Sequence, residues 1–529
     1  MKGKNTPIII GTRGSELALW QANYTKSVLE EQGFMAELKI IKTKGDATQQ
    51  WNLSFDKMEG KGFFTKELED ALLAGEIDMA VHSCKDLPTN NPEGLTIAAY
   101  SKRANPFDIL LIHPEGLDDT KMLQLKENAL VGTSSARRKT QLQAFRPDIE
   151  LKDLRGNVPT RVGRLRNKEY DAIVLASAGL ERLQVDLSDF IQVPLRAPMF
   201  IPAPAQGVLA YQIRENDTAM QSVCRHLQDE ATAEIAQAER QVLHDFDGGC
   251  QMPLGVYAEK VDGELLVWVA QSAEWKQTPK RMLKRGFASQ DSQIFIDKLK
   301  SNQPSAVLSV FITSDLSSGD YLIDTLNKIG YSVNNESFIE FEKQSFEMPE
   351  KVDWLFFSSK NGVKYFLEGM SGKSLPEGVK LAAINQGTAL ALKEQGLAVH
   401  FTGSGNDLEA IAHHFGQMAN GDKVLFPQAK KSMQSVQKYL QYDTASTSLV
   451  VYTNRPKQQL AERAEDILVF TSPLSAQAYF TLYPEGYSGK KIVSIGKTTT
   501  RKLQEMQVPD IHTAYEPTPW SLLDEIIAL

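Results

Sequence analysis

The chain has 529 residues, enough for three or four domains at about 150 residues each, which excludes a single small binding module. Apolar residues make up 42% and charged residues 23%, an ordinary globular composition that argues against disorder and against a membrane-embedded architecture. A formal net charge of −8 excludes a protein that coats nucleic acid or anionic lipid over its whole surface, though it leaves room for a local basic patch.

Taken from the N-terminus, MKGKNTPIIIGTRG offers an apolar run too short for a secretory signal, so the cytoplasm is the expected compartment. Short β-rich runs then alternate with amphipathic ones: a strand at PIII (7–10), a helix over 15–32 and a strand at AELKII from 36. That is a βαβ rhythm. Ser15 reads as the helix N-cap, and the GTRGS loop before it puts Arg13 and backbone N–H groups where an anion is favoured. Further strands are expected at DMAVH (79–82), LTIAAY (95–100), DILLIH (108–113) and DAIVLA (171–176), with helices at 65–74, 135–145 and 158–167. Prolines at 198, 202 and 204 mark a turn-rich crossing into the strand VLAYQIR, as if the chain returns to its first lobe. One helix from about 219, containing Glu239 and Arg240, leads to GGC at 248–250. The alternating runs VYAEKV and LLVWVAQ suggest a small α+β domain ending near 302, where KSNQPS is the best linker in the chain.

Beyond the linker an internal repeat appears. WLFFSSKNGVKYFL (354–367) followed by KLAAINQGTALALKEQG (380–396) is echoed by ILVFTSPLSAQAYF (467–480) followed by KIVSIGKTTTRKLQEMQ (491–507). Each copy reads strand, hydroxyl-bearing turn, helix, strand, Gly-Thr turn, helix. Two such lobes imply a cleft that presents hydroxyls and amides at strand ends.

Charge carries the clearest chemical signal. Residues 131–170 hold ten Lys/Arg against four acids, and several of the arginines sit at turns, in GTSSARR and LRGNVPTR. A guanidinium at a helix N-terminus opposes the dipole unless an anion compensates, and arginine's planar fork suits carboxylates. A solvated basic face and a nucleic-acid surface are the competing readings, and no aromatic interleaving or RNA-binding signature supports the latter. VHSCKDLP places Lys85 and Asp86 at the end of an apolar strand, where a carboxylate can hold N–H groups and stabilise a forming cation. Cys84, Cys224 and Cys250 form neither a disulfide framework nor a zinc motif, and no metal site is expected. Cys250, in DGGCQMPLG, lies in a glycine-bounded loop.

Nine segments (GTRGSELALWQA, TKGD, GKGFFTKELE, AVHSCKDLP, GTSSARRKTQL, LRGNVPTRV, AGLERL, PAPAQGVL and GGCQMPLG) resemble, in order and spacing, the porphobilinogen deaminase (hydroxymethylbilane synthase) family over about residues 5–300. The region from about 304 to the end resembles the uroporphyrinogen-III synthase family at VFTSP, VSIGKTTT, VVYTNRP and AYEPTP. The chain looks like a fusion of two consecutive tetrapyrrole enzymes. The resemblance implies an α/β multidomain fold: a two-lobed, periplasmic-binding-protein-like α/β unit with a small α+β domain, then a two-lobed synthase-like α/β unit. It divides the chain into deaminase domain 1 (1–102 and 197–218), domain 2 (103–196), domain 3 (219–302), synthase lobe 1 (303–342 and 453–529) and lobe 2 (343–452).

The resemblance also implies a dipyrromethane cofactor joined by a thioether to Cys250, with porphobilinogen and hydroxymethylbilane as small-molecule substrates, neither nucleic acid nor membrane as partner, and a monomer. Asp86, helped by Lys85, takes the catalytic role. Arg137, Arg138, Arg155, Arg161, Lys61, Ser83, Ser135 and Gly156 are implied around the cofactor, and Arg13, Ser15, Arg182 and Phe64 around the substrate, whereas Arg164 and Arg166 are expected at the surface. In the synthase part, Tyr452 is implied at the departing hydroxyl, and Ser358, Ser359, Thr388, Thr471, Ser472 and Thr498 at carboxylates. Three departures from the family pattern carry expectations. Ala205 replaces a glycine, so its backbone should avoid positive φ or be strained; Cys84 replaces a methionine, adding a thiol that oxidation could reach; and FITSDLSSGD lacks an arginine often found near the start of the synthase. Two other functions stay open: a deaminase with a degenerate C-terminal part, and a non-enzymatic two-lobed anion binder.

Overall fold

The computed structural model describes residues 6–42, 65–247, 252–300, 307–317, 319–403, 407–432, 434, 436–440 and 444–529. The expectations for Lys61, Phe64 and Cys250 fall outside these residues. Five sheets carry the described chain, two of them in its first 214 residues. Strands β1 (Ile8–Thr12), β2 (Ala36–Ile40), β3 (Met79–Ser83) and β4 (Leu95–Tyr100) begin the first sheet. Ile8, Ile10, Met79 and Val81 of these strands are essentially excluded from solvent. The chain then leaves and builds a second sheet from β5 (Asp108–Ile112), β6 (Leu130–Gly132), β7 (Glu150–Lys152), β8 (Ala172–Ala176) and β9 (Ile191–Leu195), ordered β7-β6-β8-β5-β9. It returns through 196–208 to β10 (Leu209–Arg214), which inserts antiparallel between β3 and β4 to give the order β2-β1-β3-β10-β4. The outgoing and returning crossings lie side by side, with Ser101 N–H donating to Leu209 O (3.0 Å) and Ala104 N–H to Gly207 O (3.1 Å).

Residues 218–245 form two helices, Thr218–Cys224 and Glu230–Asp245, where the sequence suggests one. Asp229 caps the second by accepting from Thr232 N–H at 2.8 Å, which satisfies a donor that a continuous helix would have bonded to its own backbone. The second helix packs against an antiparallel sheet of β11 (Leu254–Val261), β12 (Glu264–Gln271) and β13 (Lys280–Lys284).

In the C-terminal half, β14 (Ser309–Ile312), β15 (Ser332–Asn335), β16 (Ile339–Lys343), β17 (Trp354–Phe357), β18 (Lys380–Ala383), β19 (Phe401–Thr402), β20 (Lys423–Ala429), β21 (Ala445–Pro456), β22 (Ile467–Phe470), β23 (Lys491–Ser494) and β24 (Ile511–Thr513) divide between two sheets. The orders are β15-β14-β22-β23-β24 and β16-β21-β20-β17-β18-β19. The long antiparallel pairing of β16 with β21, from Ile339↔Pro456 to Lys343↔Tyr452, attaches residues 339–456 to the second of these sheets, so the chain crosses between sheets at 336–338 and 457–466. Both halves of the repeat fold as strand then helix, and the caps are its turn residues: Ser359 accepts from Gly362 N–H (3.0 Å), Asn385 from Thr388 N–H (3.0 Å) and Ser472 from Ser475 N–H (3.1 Å).

One apolar core joins the two halves of the chain. Val242, Val256, Val267 and Met282 of the small domain cluster with Val310, Leu322, Ile467, Leu523 and Ile526.

Candidate functional site

The strand β3 ends in a single tight turn, Cys84–Asp86. An apolar strand buried as far as His82 meets its boundary there, and the next side chains emerge together: Ser83 and Lys85 partly buried, Asp86 exposed. The turn is fixed from behind by Arg240, which donates to the carbonyls of Cys84 (3.3 Å), Leu87 (3.4 Å) and Pro88 (2.7 Å). Ser83 Oγ accepts from Gln21 Nε2 at 2.8 Å, tying the strand end to the helix Glu16–Glu31, whose cap is Ser15 (from Ala18 N–H, 3.4 Å).

Opposite the turn stand the arginines of the second lobe. Burial pulls the Lys85 ammonium down from its ordinary 10.5 to about 8, with Asp86 opposing the change and Arg138 adding to it. Arg161 is lowered by burial to about 10, again with Arg138 repelling and Asp86 attracting. Asp86, Lys85, Arg138 and Arg161, which come from separate motifs in the sequence, therefore share one field. Arg161 Nε donates to Gly156 O at 2.7 Å. Gly156 has φ +107, and a Cβ there would lie 2.9 Å from the Thr160 side chain, so the turn admits only glycine. Arg155 is partly buried, 3.9 Å from Asp153. Arg182 donates to Gly207 O (2.8 Å), lies over the Trp20 ring, and is lowered by burial. Arg13 is partly buried on the first lobe, and its charge reaches His82, which burial holds at about 4. Arg164 and Arg166 pair on the outside with Glu169 (2.8 Å) and Asp189 (2.7 Å).

Arg137 and Arg138 are buried beside Asp108. Their bonds run to protein groups: Arg137 to Asp108 (2.8 Å) and Ile201 O (2.9 Å), and Arg138 to Asp108 (2.7 and 3.2 Å) and Val174 O (3.0 Å). Burial would raise the Asp108 carboxyl, but the two guanidinium groups outweigh it and hold it far below the usual carboxylate range. Asp108 also accepts from Gln206 (3.0 Å), whose carbonyl oxygen accepts from Lys85 (3.3 Å). The pair carries a net single positive charge toward the site, and the cap at Ser135 (from Arg138 N–H, 3.5 Å) aims the helix that bears it. Nothing in the sequence distinguishes Asp108 from a polar strand end.

Two departures resolve clearly. Ala205 adopts φ 55, so the strained alternative holds, and Glu239 retains it by accepting from Ala205 N–H at 2.6 Å. The same fully buried carboxylate takes Arg103 (2.8 and 3.1 Å) and Ala258 N–H (2.7 Å). The expectation of an oxidisable thiol is corrected: Cys84 has no exposed surface, and burial pushes it up to about 11, so neither access nor thiolate is provided.

In the C-terminal half, Tyr452 on β21 meets Ser359 through a side-chain hydrogen bond, and burial raises its hydroxyl. Tyr365 stacks on it at 5.2 Å. Ser358 is partly buried beside Ser359, and Thr388 is buried on the neighbouring helix. On the other sheet Thr471 exchanges hydrogen bonds with Thr313 (3.0 Å) next to the cap Ser472. Thr498 is exposed at the start of Lys497–Glu505. The polar strand ends thus form two groups, one on each sheet. Among the described residues no group of three or more His, Cys, Asp or Glu could hold a metal ion, and no helix is long and apolar enough to cross a membrane.

A buried ammonium facing cations is a cost incurred for binding. Lys85→Met is expected to raise the melting temperature of the cofactor-free chain at pH 7, since the lowered affinity for its proton corresponds to roughly 3 kcal/mol. The penalty is full below about pH 8 and fades as pH rises toward 10.5, because only the unfolded chain still holds the proton there. Melts of both proteins at pH 7 and pH 10 check this, and a gap that persists at pH 10 contradicts it.

Residues 8–222 match the family model "Porphobilinogen deaminase, dipyromethane cofactor binding domain", and residues 233–288 that of its C-terminal domain. Residues 320–524 match the model for "Uroporphyrinogen-III synthase HemD". Porphobilinogen deaminase of Nitratiruptor sp. is 46% identical over 261 residues, 49% of this chain and 81% of that protein. That of Maridesulfovibrio salexigens is 47% identical over 255, covering 48% and 80%. The crystal structure of uroporphyrinogen-III synthetase from Helicobacter pylori is 23% identical, covering 42% of this chain and 99% of that one, with a TM-score of 0.32. The chain belongs to the porphobilinogen deaminase family and carries a HemD-type uroporphyrinogen-III synthase segment fused behind it.

Proposed function

We propose that the N-terminal half condenses four porphobilinogen molecules with release of four ammonia and that water then frees the chain as hydroxymethylbilane. The C-terminal half then inverts the last ring and closes the product to uroporphyrinogen III with loss of water. The observation that carries this reading is the field shared by Asp86, Lys85, Arg138 and Arg161 between two lobes. Each pyrrole of the substrate bears two carboxylates, and an oligomer of them is tolerated in a cleft only against fixed cations.

The same residues fit a dipyrromethane. Half-buried guanidinium groups at Arg13, Arg155 and Arg161, the helix cap Ser135 and the Gly156 turn offer donors suited to its carboxylates. Its attachment to Cys250 follows from the GGC motif. When bound, it supplies the free pyrrole carbon at which the chain is extended. Asp86 accepts pyrrole N–H hydrogen bonds and balances the cation left as ammonia departs, while Lys85 and Arg161 keep the incoming carboxylates off Asp86. Arg182, Ser83 and Ser15 shape the first-lobe side, with Lys61 and Phe64 assigned by motif.

In the synthase half, Tyr452, its hydroxyl kept protonated by burial, donates toward the departing hydroxyl group. Ser358, Ser359, Thr388, Thr471, Ser472 and Thr498 hold carboxylates at the ends of two sheets, so that conformation governs which ring closes. The five-domain division at 102, 196, 218, 302, 342 and 452 belongs to this reading, as does a monomer in the reducing cytoplasm, supported by three cysteines without a disulfide framework.

Intact mass measurement of the purified protein tests the assignment. An adduct of about two pyrrole units that is absent from Cys250→Ser is expected, and an active protein of unmodified mass refutes the anchor. Chromatography of oxidised products tests the second half: isomer III is expected, and isomer I alone removes the synthase activity.

A further inference from the structure

A buried polar junction lies where four parts of the chain meet. Arg281 on β13, 2% exposed, is surrounded by acceptors from other parts of the chain. Its Nε donates to Asp524 Oδ1 at 2.6 Å and one terminal nitrogen to Asp524 Oδ2 at 3.0 Å. That nitrogen also donates to Pro198 O, and the other terminal nitrogen donates to Met199 O at 3.0 Å. Asp524 is 1% exposed and lies on the last helix, Pro519–Ala528. The Tyr321 hydroxyl completes the set with a side-chain hydrogen bond to Arg281.

The junction is continuous with the returning crossing of the N-terminal half. Two residues past Met199, Ile201 O accepts from Arg137 (2.9 Å) and Gln141 (2.9 Å), and Ile201 N–H donates to Gln141 (2.7 Å). The helix bearing Arg137, Arg138 and Gln141 ends at Phe145, whose ring stacks on Tyr321 at 4.6 Å and meets Trp520 edge-on at 6.1 Å. The arginine helix is therefore held at Phe145 by the C-terminal half itself, and at Arg137 and Gln141 by Ile201, two residues beyond the Met199 carbonyl that Arg281 binds. A bidentate guanidinium and carboxylate, both excluded from water, admit little play, because any opening leaves a charge unpaired.

We propose that Arg281 is a positioning residue for the deaminase reaction, and that Asp524 and Tyr321 of the C-terminal half are its anchor, so that the synthase half fixes the crossing at 198–201 on which the arginine helix is seated. The fusion then acts on the first reaction through this junction and is more than a tether. The functional part of this inference rests on the deaminase reading; the mechanical part does not.

Hydrogen exchange on the full-length holoprotein, read over residues 196–202, separates the two. In Asp524→Asn, exchange at Phe200 and Ile201 is expected to rise at least tenfold. Deaminase kcat should fall several-fold, while the synthase rate on supplied hydroxymethylbilane is retained. Tyr321→Phe, which keeps the stacked ring and removes one hydrogen bond, should shift both readouts less in the same direction, and it carries the test if Asp524→Asn fails to fold. Glu525→Gln breaks the neighbouring pair with Arg285 (2.6 Å) on the same helix and should leave 196–202 unchanged. Unchanged exchange at 196–202 in Asp524→Asn and Tyr321→Phe, or equal loosening by Glu525→Gln, overturns the proposal. A wild-type chain without porphobilinogen turnover would overturn the deaminase reading and leave the exchange result standing.

Discussion

Asp86→Asn is expected to lower porphobilinogen turnover by about 10²–10⁴-fold, the usual range for a group that balances charge in the transition state. Asparagine keeps the shape and one acceptor, but it cannot neutralise the cation that forms as ammonia leaves. The effect on stability should be within about 0.5 kcal/mol, because the residue is exposed and the turn is held by Arg240 on three backbone carbonyls. Those bonds do not involve the Asp86 side chain. Asp86→Glu retains the charge at a longer reach and should fall between the two. The measurement is ammonia release under saturating substrate, with a thermal melt and the synthase rate on supplied hydroxymethylbilane as controls. A loss of less than tenfold, with folding intact, would remove Asp86 from the chemistry.

What sequence reveals about this chain depends on how local the determining interaction is. The repeat in the second half is legible because three of its four strand-to-helix turns are closed by a residue three positions before the amide it caps, at Ser359, Asn385 and Ser472, the fourth having Gly496. Ser15 and Ser135 announce their helices in the same way. The turn at Asp86 is legible as the end of an apolar strand. The break before Glu230 left a local sign, Asp229 followed by Thr232, but the amphipathic pattern running across it suggests continuity. The strand β13, KRMLK, resembles an exposed basic cluster until Asp524, 243 residues away, is seen to pair with Arg281. Arg240 reaches carbonyls more than 150 residues distant. No periodicity or motif encodes a partner at that separation, because such residues are recognised by what the fold brings to them. The basic stretch at 131–170 shows both cases: its excess of charge is plain from composition, yet which arginines meet a buried carboxylate and which pair at the surface is decided in tertiary structure.

Asp108→Ala follows from that division and should be strongly destabilising. The carboxylate has no exposed surface and receives Arg137, Arg138 and the Gln206 amide. Removing it leaves two guanidinium groups in a site built for one negative charge. The general cost of breaking a buried pair in this manner is about 3–5 kcal/mol, a large share of the roughly 5–15 kcal/mol that holds a domain folded. The sign with pH is fixed by the depressed carboxyl. Its contribution is present above the unfolded value near 4 and is lost as pH falls toward the native one, so wild type and variant should differ fully at pH 7 and converge only in strong acid. Asp108→Asn keeps the hydrogen-bonding shape and isolates the charge; it should lose most of the same stability, whereas a loss confined to Asp108→Ala would mean that packing dominates. Urea unfolding followed by Trp fluorescence at pH 7 and pH 3 measures both. A difference under about 1 kcal/mol at pH 7 would show that water or a bound anion already compensates the two arginines. In that case both arginines could meet carboxylates in the way proposed for Arg155 and Arg161.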